Sequence, residues 1–240
     1  MFNEELGVFV GIASKGRSFR VEEQEKICGK ATWFVPFEEV NEYKEAGAGN
    51  VIESPPGLSA SRNAVLEEAF KNNQNCIMLD DDIKGYKRVK DDKSLEDISF
   101  KEVIVHLKRE INIFKFAGVS EDSNLFYFDP NRPISKKSLI ACTYLVKPST
   151  PRFDTNLAVS EDMDFTLQHI SKYGASIRLN YLRNYHYGTM MDNKKLTFKR
   201  TIEGGIEYSI DVQKHSFDYL MKKWKGKVRS SKTPFQVRIN

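Results

Sequence analysis

The chain reads as one α/β domain, a mostly parallel sheet with helices on both faces. Three observations predict it. Short apolar runs of strand length, each closed by Gly, Pro or polar residues, alternate with amphipathic stretches through the first half. An apolar content of 40% and a charged content of 29% are ordinary for a globular protein. A length of 240 residues is enough for a single large core.

Residues Gly7 to Ala13 form the first expected strand, running into the polar loop Ser14-Lys15-Gly16-Arg17. That loop is a nucleotide-facing position, with Lys15 or Arg17 toward a phosphate or base. Thr32 to Val35 gives a second strand closed by Pro36, Glu38 to Ala46 a short helix closed by Gly47, and Val51-Ile52 a third strand stopped by Ser54-Pro55-Pro56-Gly57. A helix then opens at Leu58, capped by Ser59 or Ser61, with Leu66, Ala69 and Phe70 on one face. Arg62 and Asn63 fall in its expected first turn, where free N–H groups favour anions. An Arg there opposes the helix dipole, so it answers either a phosphate or sugar, or a carboxylate that closes the loop.

Asn75 to Leu79 is a buried strand that ends in Asp80-Asp81-Asp82. Carboxylates gathered beside a core strand repel one another and lose hydration, and a divalent cation relieves both costs. The plain alternative is a solvated acidic turn. Lys84 to Asp97 is polar and reads as a flexible segment near the site. Ser99 caps an amphipathic helix carrying Phe100, Val103, Ile104, Leu107, Ile111 and Phe114, ended by Gly118; His106 falls on its surface. Leu139 to Val146 is an apolar run that predicts a central strand.

Ser160-Glu161-Asp162 begins a further helix, with Met163, Leu167 and Ile170 inward and Gly174 as its stop. Acids in a first turn are favoured by the dipole alone. Ile177 to Leu182 is a strand followed by Asn184-Tyr185-His186-Tyr187-Gly188, where His186 is either a ligand or a member of an aromatic cluster. Tyr208 to Trp224 is a last helix, and an appendage from about residue 190 is placed to close over the site.

Net charge is only +4, yet Lys214 to Asn240 holds eight Lys and Arg against one acid, Asp218. A basic end on a near-neutral body suggests a polyanionic partner. Cys28, Cys76 and Cys142 sit in apolar surroundings without CxxC spacing and read as buried reduced thiols. With no apolar run of membrane-spanning length and no signal-peptide pattern at Met1 to Glu5, a cytoplasmic protein is expected.

Taken together these residues resemble a glycosyltransferase of the Rossmann-like GT-A fold. Leu79-Asp80-Asp81-Asp82 resembles the DxD motif, Ser160-Glu161-Asp162 the later xED motif, and His186 the histidine near the end of the core. A narrower resemblance spans Gly57 to Asn63, Leu79 to Ile83, Phe153-Asp154, Ser160 to Phe165 and Thr233 to Asn240. These are similar to bacteriophage glycosyltransferases that decorate hydroxymethylated pyrimidines in DNA.

The resemblance implies a donor that is a UDP-sugar, glucose or a pentose such as arabinose. It implies Mn²⁺ or Mg²⁺ on Asp82 and His186, with Asp80, and donor contacts from Ser14, Arg17, Arg62, Asn63, Asp80 and Asp81. Asp162 would be the general base of an inverting displacement, with Glu161 its rival. Residues 1–190 would form the donor-binding and catalytic core. Residues 191–240 would be a C-terminal helix and basic tail on the acceptor side, touching DNA through Lys222, Lys223, Lys225, Lys227, Arg229 and Lys232. A non-DNA glycan acceptor, a Mg²⁺-dependent nucleotidyltransferase, and a DNA-binding protein with structural acids are the alternatives.

Overall fold

Alternating side chains along the central strands feed two separate apolar layers, and this alternation dictates helices on both sides. In the computed structural model, which describes residues 2–3, 5–121, 125–186, 201–202, 206–207 and 210–240, the strands are β1 (Phe2–Asn3), β2 (Val8–Ala13), β3 (Thr32–Val35), β4 (Asn50–Glu53), β5 (Cys76–Leu79), β6 (Ile83–Val89), β7 (Leu95–Ile98), β8 (Phe116–Ser120), β9 (Ile134–Ser135), β10 (Thr143–Val146) and β11 (Ile177–His186). The helices are α1 (Val21–Cys28), α2 (Val40–Glu45), α3 (Leu58–Lys71), α4 (Phe100–Ile111), α5 (Glu161–Tyr173) and α6 (Ile210–Lys223). Two small hairpins, β12 (Thr201–Ile202) with β13 (Ile206–Glu207) and β14 (Val228–Ser230) with β15 (Val237–Ile239), complete the described elements.

One sheet runs in the order β4-β3-β2-β5-β10-β8-β11-β6-β7, with β1 added to β2 and β9 to β11. Most of its strands point the same way; β10 and β6 are reversed within the path, and β1 and β9 at its margins. Val8, Val10 and Ile12 pack with α1, α2 and α4, while Phe9, Phe34, Met78 and Tyr144 pack with α3 and α5. The single mixed α/β domain expected from the sequence is thus present. A third apolar cluster, including Leu157, Met163, Leu167, Leu220 and Val228, seats α6 and the β14–β15 hairpin on α5.

Several local expectations are corrected. Gly118 does not stop a helix: α4 ends at Ile111, and Gly118 lies within β8, where an added Cβ would come within 2.2 Å of Ile140 Cγ2. Gly11 in β2 likewise admits Val65 of α3, 2.3 Å from where its Cβ would stand. The polar segment after Asp82 is a β-hairpin, β6–β7, whose Ile83, Tyr86 and Val89 are buried while its charges face outward. The apolar run from Leu139 enters the sheet only at Thr143. Gly57, not Ser59 or Ser61, occupies the cap of α3, and no side chain caps that helix. The Ser99 cap of α4 is present in full, with Glu102 returning the bond as a capping box. Tyr187, Gly188, Tyr208 and the boundary at residue 190 lie outside the described residues.

Candidate active site

The carboxyl ends of β2, β5, β8 and β11 lie at one edge of the sheet, where open α/β sheets collect ligands. The acidic triple enters this edge as soon as β5 ends. Opposite it stands the start of α5, preceded by Ser160 in the left-handed conformation at φ 61°. Between them is a cavity of about 500 Å³ lined by Ser14, Arg17, Arg62, Asp80, Asp81 and Asp82 from one side and by Ser160, Glu161, Asp162 and Met163 from the other. Gln236 and Val237 of the C-terminal hairpin also line it. The volume suits a small-molecule site.

Arg62 joins the two walls. It is 7% exposed, donates to Asp80 Oδ1 at 2.7 Å and to Glu161 Oε1 at 2.6 Å, and lies 5.5 Å from the Phe153 ring centroid. Because α3 begins at Leu58, Arg62 lies beyond the first turn; it reaches the cavity by its own length and not through the helix end. Both readings of the sequence converge here, since the carboxylate partners themselves line the cavity. Asn63 turns elsewhere: its amide donates to Phe153 O at 2.9 Å and accepts from Phe153 N at 2.8 Å. It clamps the loop before α5 and is not among the lining residues.

Ser14, Arg17 and Asp81 form a second knot. The Ser14 hydroxyl donates to Asp81 Oδ2 and Arg17 Nη1 to Asp81 Oδ1, each at 2.5 Å, and Arg17 also lies 3.4 Å from Asp82 Oδ2. Burial pushes the Asp81 carboxyl above its ordinary value, with Arg17 and Ser14 opposing. Asp82 stands behind His186, at 2.8 Å from Nδ1, and Asn184 Nδ2 is 3.0 Å from Nε2. Burial lowers the affinity of His186 for a proton, but the Asp82 hydrogen bond and charge outweigh it and the net shift is upward.

Among the described residues one group could hold a metal ion, and it overlaps the expected set in two of three members. Ligand atoms of Asp80, Cys142 and His186 all lie within 4.8 Å of one another. Asp80 and His186 belong to both sets. Asp82 lies outside this group and bonds His186 Nδ1, a contact of the kind that orients an imidazole for a metal. Cys142 escapes sequence reasoning because its apolar neighbours make it read as a buried thiol; Cys28 and Cys76 do fit that reading, and all three cysteines are free.

Asp162 has the most telling environment. Burial, then the charges of Glu161 and Glu121, push its carboxyl up to about 8, with Arg62 and the Met163 N–H opposing. A carboxyl raised this far in a cavity is typical of acid–base machinery. Glu121, one residue past β8, also escapes sequence reasoning, because the apolar pattern of α4 continues through Phe114 and hides the start of that strand. Desolvation, then the charge of Asp80, push its own carboxyl up, although Glu121 is exposed and does not line the cavity.

The basic end divides in two. Lys223 is tied to Asp154 at 2.6 Å and to Asp164 at 2.9 Å, and Lys227 donates to Ser171 at 2.8 Å while lying over Trp224. These two, expected to meet DNA, are exposed and also bond side chains of the α5 layer and the loop before it. Lys222, Lys225, Arg229 and Lys232 are equally exposed, and their side chains stand toward solvent.

No family model matches the chain, and no curated protein matches it in sequence. Among solved structures it is similar to 4-diphosphocytidyl-2C-methyl-D-erythritol synthase from Anaerococcus prevotii DSM 20548, at 9% identity over 79% of this chain and 96% of that one, with a TM-score of 0.42. It is also similar to a CMP:2-keto-3-deoxy-manno-octonic acid synthetase complexed with CTP, at 8% identity over 72% and 88% of the two chains and a TM-score of 0.41. Likenesses this distant carry no argument about chemistry, which rests on this chain's own residues. No helix among the described residues is long and apolar enough to cross a membrane.

Proposed function

We propose that this protein is a metal-dependent glycosyltransferase that moves a sugar from a UDP-sugar to a hydroxyl group. One observation carries the reading. A single cavity holds a carboxylate–arginine–carboxylate bridge and, beside it, a carboxyl raised to about 8. Acids that outnumber Arg62 suit a divalent cation, which would in turn hold a charged diphosphate. The raised pKa makes the ionised form of Asp162 a stronger base toward an alcohol proton, and that form grows as pH rises toward 8.

In this reading Ser14 and Arg17 lie by the nucleotide base, and Asp80 and Arg62 lie by the ribose, diphosphate and sugar. The acceptor oxygen attacks the anomeric carbon as Asp162 takes its proton. The bond from that carbon to the diphosphate oxygen breaks, and the nucleoside diphosphate departs with the electron pair. This single displacement inverts the anomeric centre. An alcohol is a weak acid, so proton transfer accompanies attack and the base must be within hydrogen-bond reach. Arg62 contributes fixed positive charge that needs no reorganisation during the reaction. The carboxylate of Asp80 and the imidazole of His186 are donors that fit Mn²⁺ or Mg²⁺, and such an ion would supply Lewis-acid stabilisation of the departing diphosphate.

The acceptor we favour is the hydroxymethyl group of a modified pyrimidine in DNA. Residues 1–190 then carry donor binding and catalysis, and residues 191–240 face the acceptor. Two facts support this. The β14–β15 hairpin brings exposed Arg229 and Arg238 beside Gln236 and Val237, which line the cavity. Exposed Lys222, Lys225 and Lys232 extend the same charge, which would hold phosphates without reading sequence.

Incubation of hydroxymethylated DNA with a panel of UDP-sugars and Mn²⁺, followed by mass spectrometry, tests the proposal. A hexose or pentose mass gain with release of UDP is expected. Release of pyrophosphate from a nucleoside triphosphate, with no sugar transferred, would replace it with nucleotidyl transfer.

A further inference from the structure

We infer that Cys142 is itself a metal ligand, so that the site takes a borderline divalent ion such as Co²⁺ or Zn²⁺ in preference to Mg²⁺. Thiolate donors shift selectivity away from Mg²⁺, which prefers oxygen and retains its water. The inference deepens the metal part of the proposed function and does not depend on which group is transferred.

The backbone argues for it first. Thr143 N donates to Ala141 O at 2.7 Å, closing a γ-turn with Cys142 at its centre and φ at 62°. A non-glycine residue held there is sparsely populated and must be imposed by its surroundings. The turn interrupts the apolar run just before β10. Asp80 N donates to Cys142 O at 2.9 Å, which binds the backbones of two of the three candidate ligands together.

Position argues next. Cys28 and Cys76 are 3% and 0% exposed and lie inside the apolar layers, whereas Cys142 is half-buried. Its sulfur, one Asp80 oxygen and a His186 nitrogen lie within 4.8 Å of one another. Ligands sharing one tetrahedral ion stand about 3.5 Å apart for bonds of about 2.0–2.3 Å. Closing that gap takes a side-chain adjustment of roughly one ångström and no change of fold. The ring is already oriented, since Asp82 holds Nδ1, and a metal on Nε2 would take the place of the Asn184 Nδ2 hydrogen bond there. On binding, the thiol proton passes to solvent and the sulfur donates as thiolate.

Titration of the full chain with Co²⁺ alone tests this, because thiolate bonded to Co²⁺ gives a near-ultraviolet charge-transfer band. The band is expected in the wild type and in Cys28→Ser. It should vanish in Cys142→Ser, with Co²⁺ bound about tenfold or more weakly, and excess Mg²⁺ should displace Co²⁺ poorly. A second readout needs no variant: bound Co²⁺ should slow maleimide labelling of Cys142, followed by peptide mass spectrometry. Absence of the band in the wild type, an unchanged Co²⁺ affinity in Cys142→Ser, or unprotected labelling would each overturn the assignment. Sugar transfer supported fully by Mg²⁺ with no band would remove Cys142 and leave glycosyl transfer standing. A band with no transfer from any UDP-sugar would do the reverse.

Discussion

Several basic side chains among the described residues lie between two carboxylates, and two of them do opposite things. Arg62 lies between Asp80 and Glu161, and Lys223 between Asp154 and Asp164. Around Lys223 other donors converge on the acids: Tyr219 bonds Asp154, and Trp224 Nε1 and Gln168 bond Asp164, which is fully buried. Burial alone would push the Asp154 carboxyl up, but Lys223, the Asn156 N–H and Tyr219 outweigh it and hold it well below the usual range. Around Arg62 the acids line a cavity, and the neighbouring Asp162 is pushed the other way. A saturated network is a fastener. One that opens on a cavity and leaves a neighbour strained toward neutrality is equipped to receive a ligand.

Replacing Asp162 breaks the comparison most severely. Asp162→Asn should lower turnover by about 10²–10⁴-fold in a single-turnover assay of sugar transfer. The same change should raise stability. A folded pKa near 8, above the ordinary 3.8, means the native state holds a proton that the unfolded chain has lost. Wild-type stability from this group therefore falls as pH rises between those values, and the advantage of Asn should grow toward pH 8. Thermal melts across that range would show it; an advantage that shrinks with rising pH would contradict the assigned environment.

Arg62→Met comes next. It leaves Asp80 and Glu161 without their shared cation and should cost about 3–5 kcal/mol in denaturant unfolding, with donor binding lost as well. Lys223→Met should cost less, about 1–2 kcal/mol, because the side chain is partly exposed and Tyr219, Trp224 and Gln168 still bond the acids. Its sign with pH is the reverse of Asp162. The depressed Asp154 pKa contributes stability above the unfolded value, so the deficit of the variant should shrink as pH falls below about 4. Turnover by this variant should stay near wild type once the fold is saturated at low temperature.

The smallest effects belong to the exposed lysines and arginines. Removing Lys222, Lys225, Arg229 or Lys232 one at a time should lower DNA affinity a few-fold and reduce the salt slope by about 0.9 for each phosphate no longer neutralised, read by anisotropy across a salt series. Lys227→Met should lower that slope less, since the Lys227 ammonium is held on Ser171 and over the Trp224 ring and is less able to reach a phosphate. An equal fall in slope for Lys227 would dissolve the division between fastening and free basic residues.

Much of the fold is legible in the sequence because it follows from local rules. Apolar runs of strand length mark β2, β3 and β5, and the Ser99–Glu102 box marks the start of α4. The β6–β7 hairpin is not legible, because Lys and Arg on its outer face mask an alternation whose buried half is supplied by β11 and α1. Asp80, Arg62, Glu161, Asp162 and His186 can be named from residue type and order. The partners of Asn63, Lys223 and Lys227 cannot be named in the same way, because they lie 90, 69 and 56 positions away respectively.

Local patterning is enough to dictate that acids follow a buried strand and precede a helix, because patterning and end effects act over a few residues. Which charges meet is set by the folded arrangement. It drew Arg62 across to Glu161, set Asp82 behind His186, and turned Cys142 toward Asp80, since pairing in a cleft depends on distances that no local spacing contains.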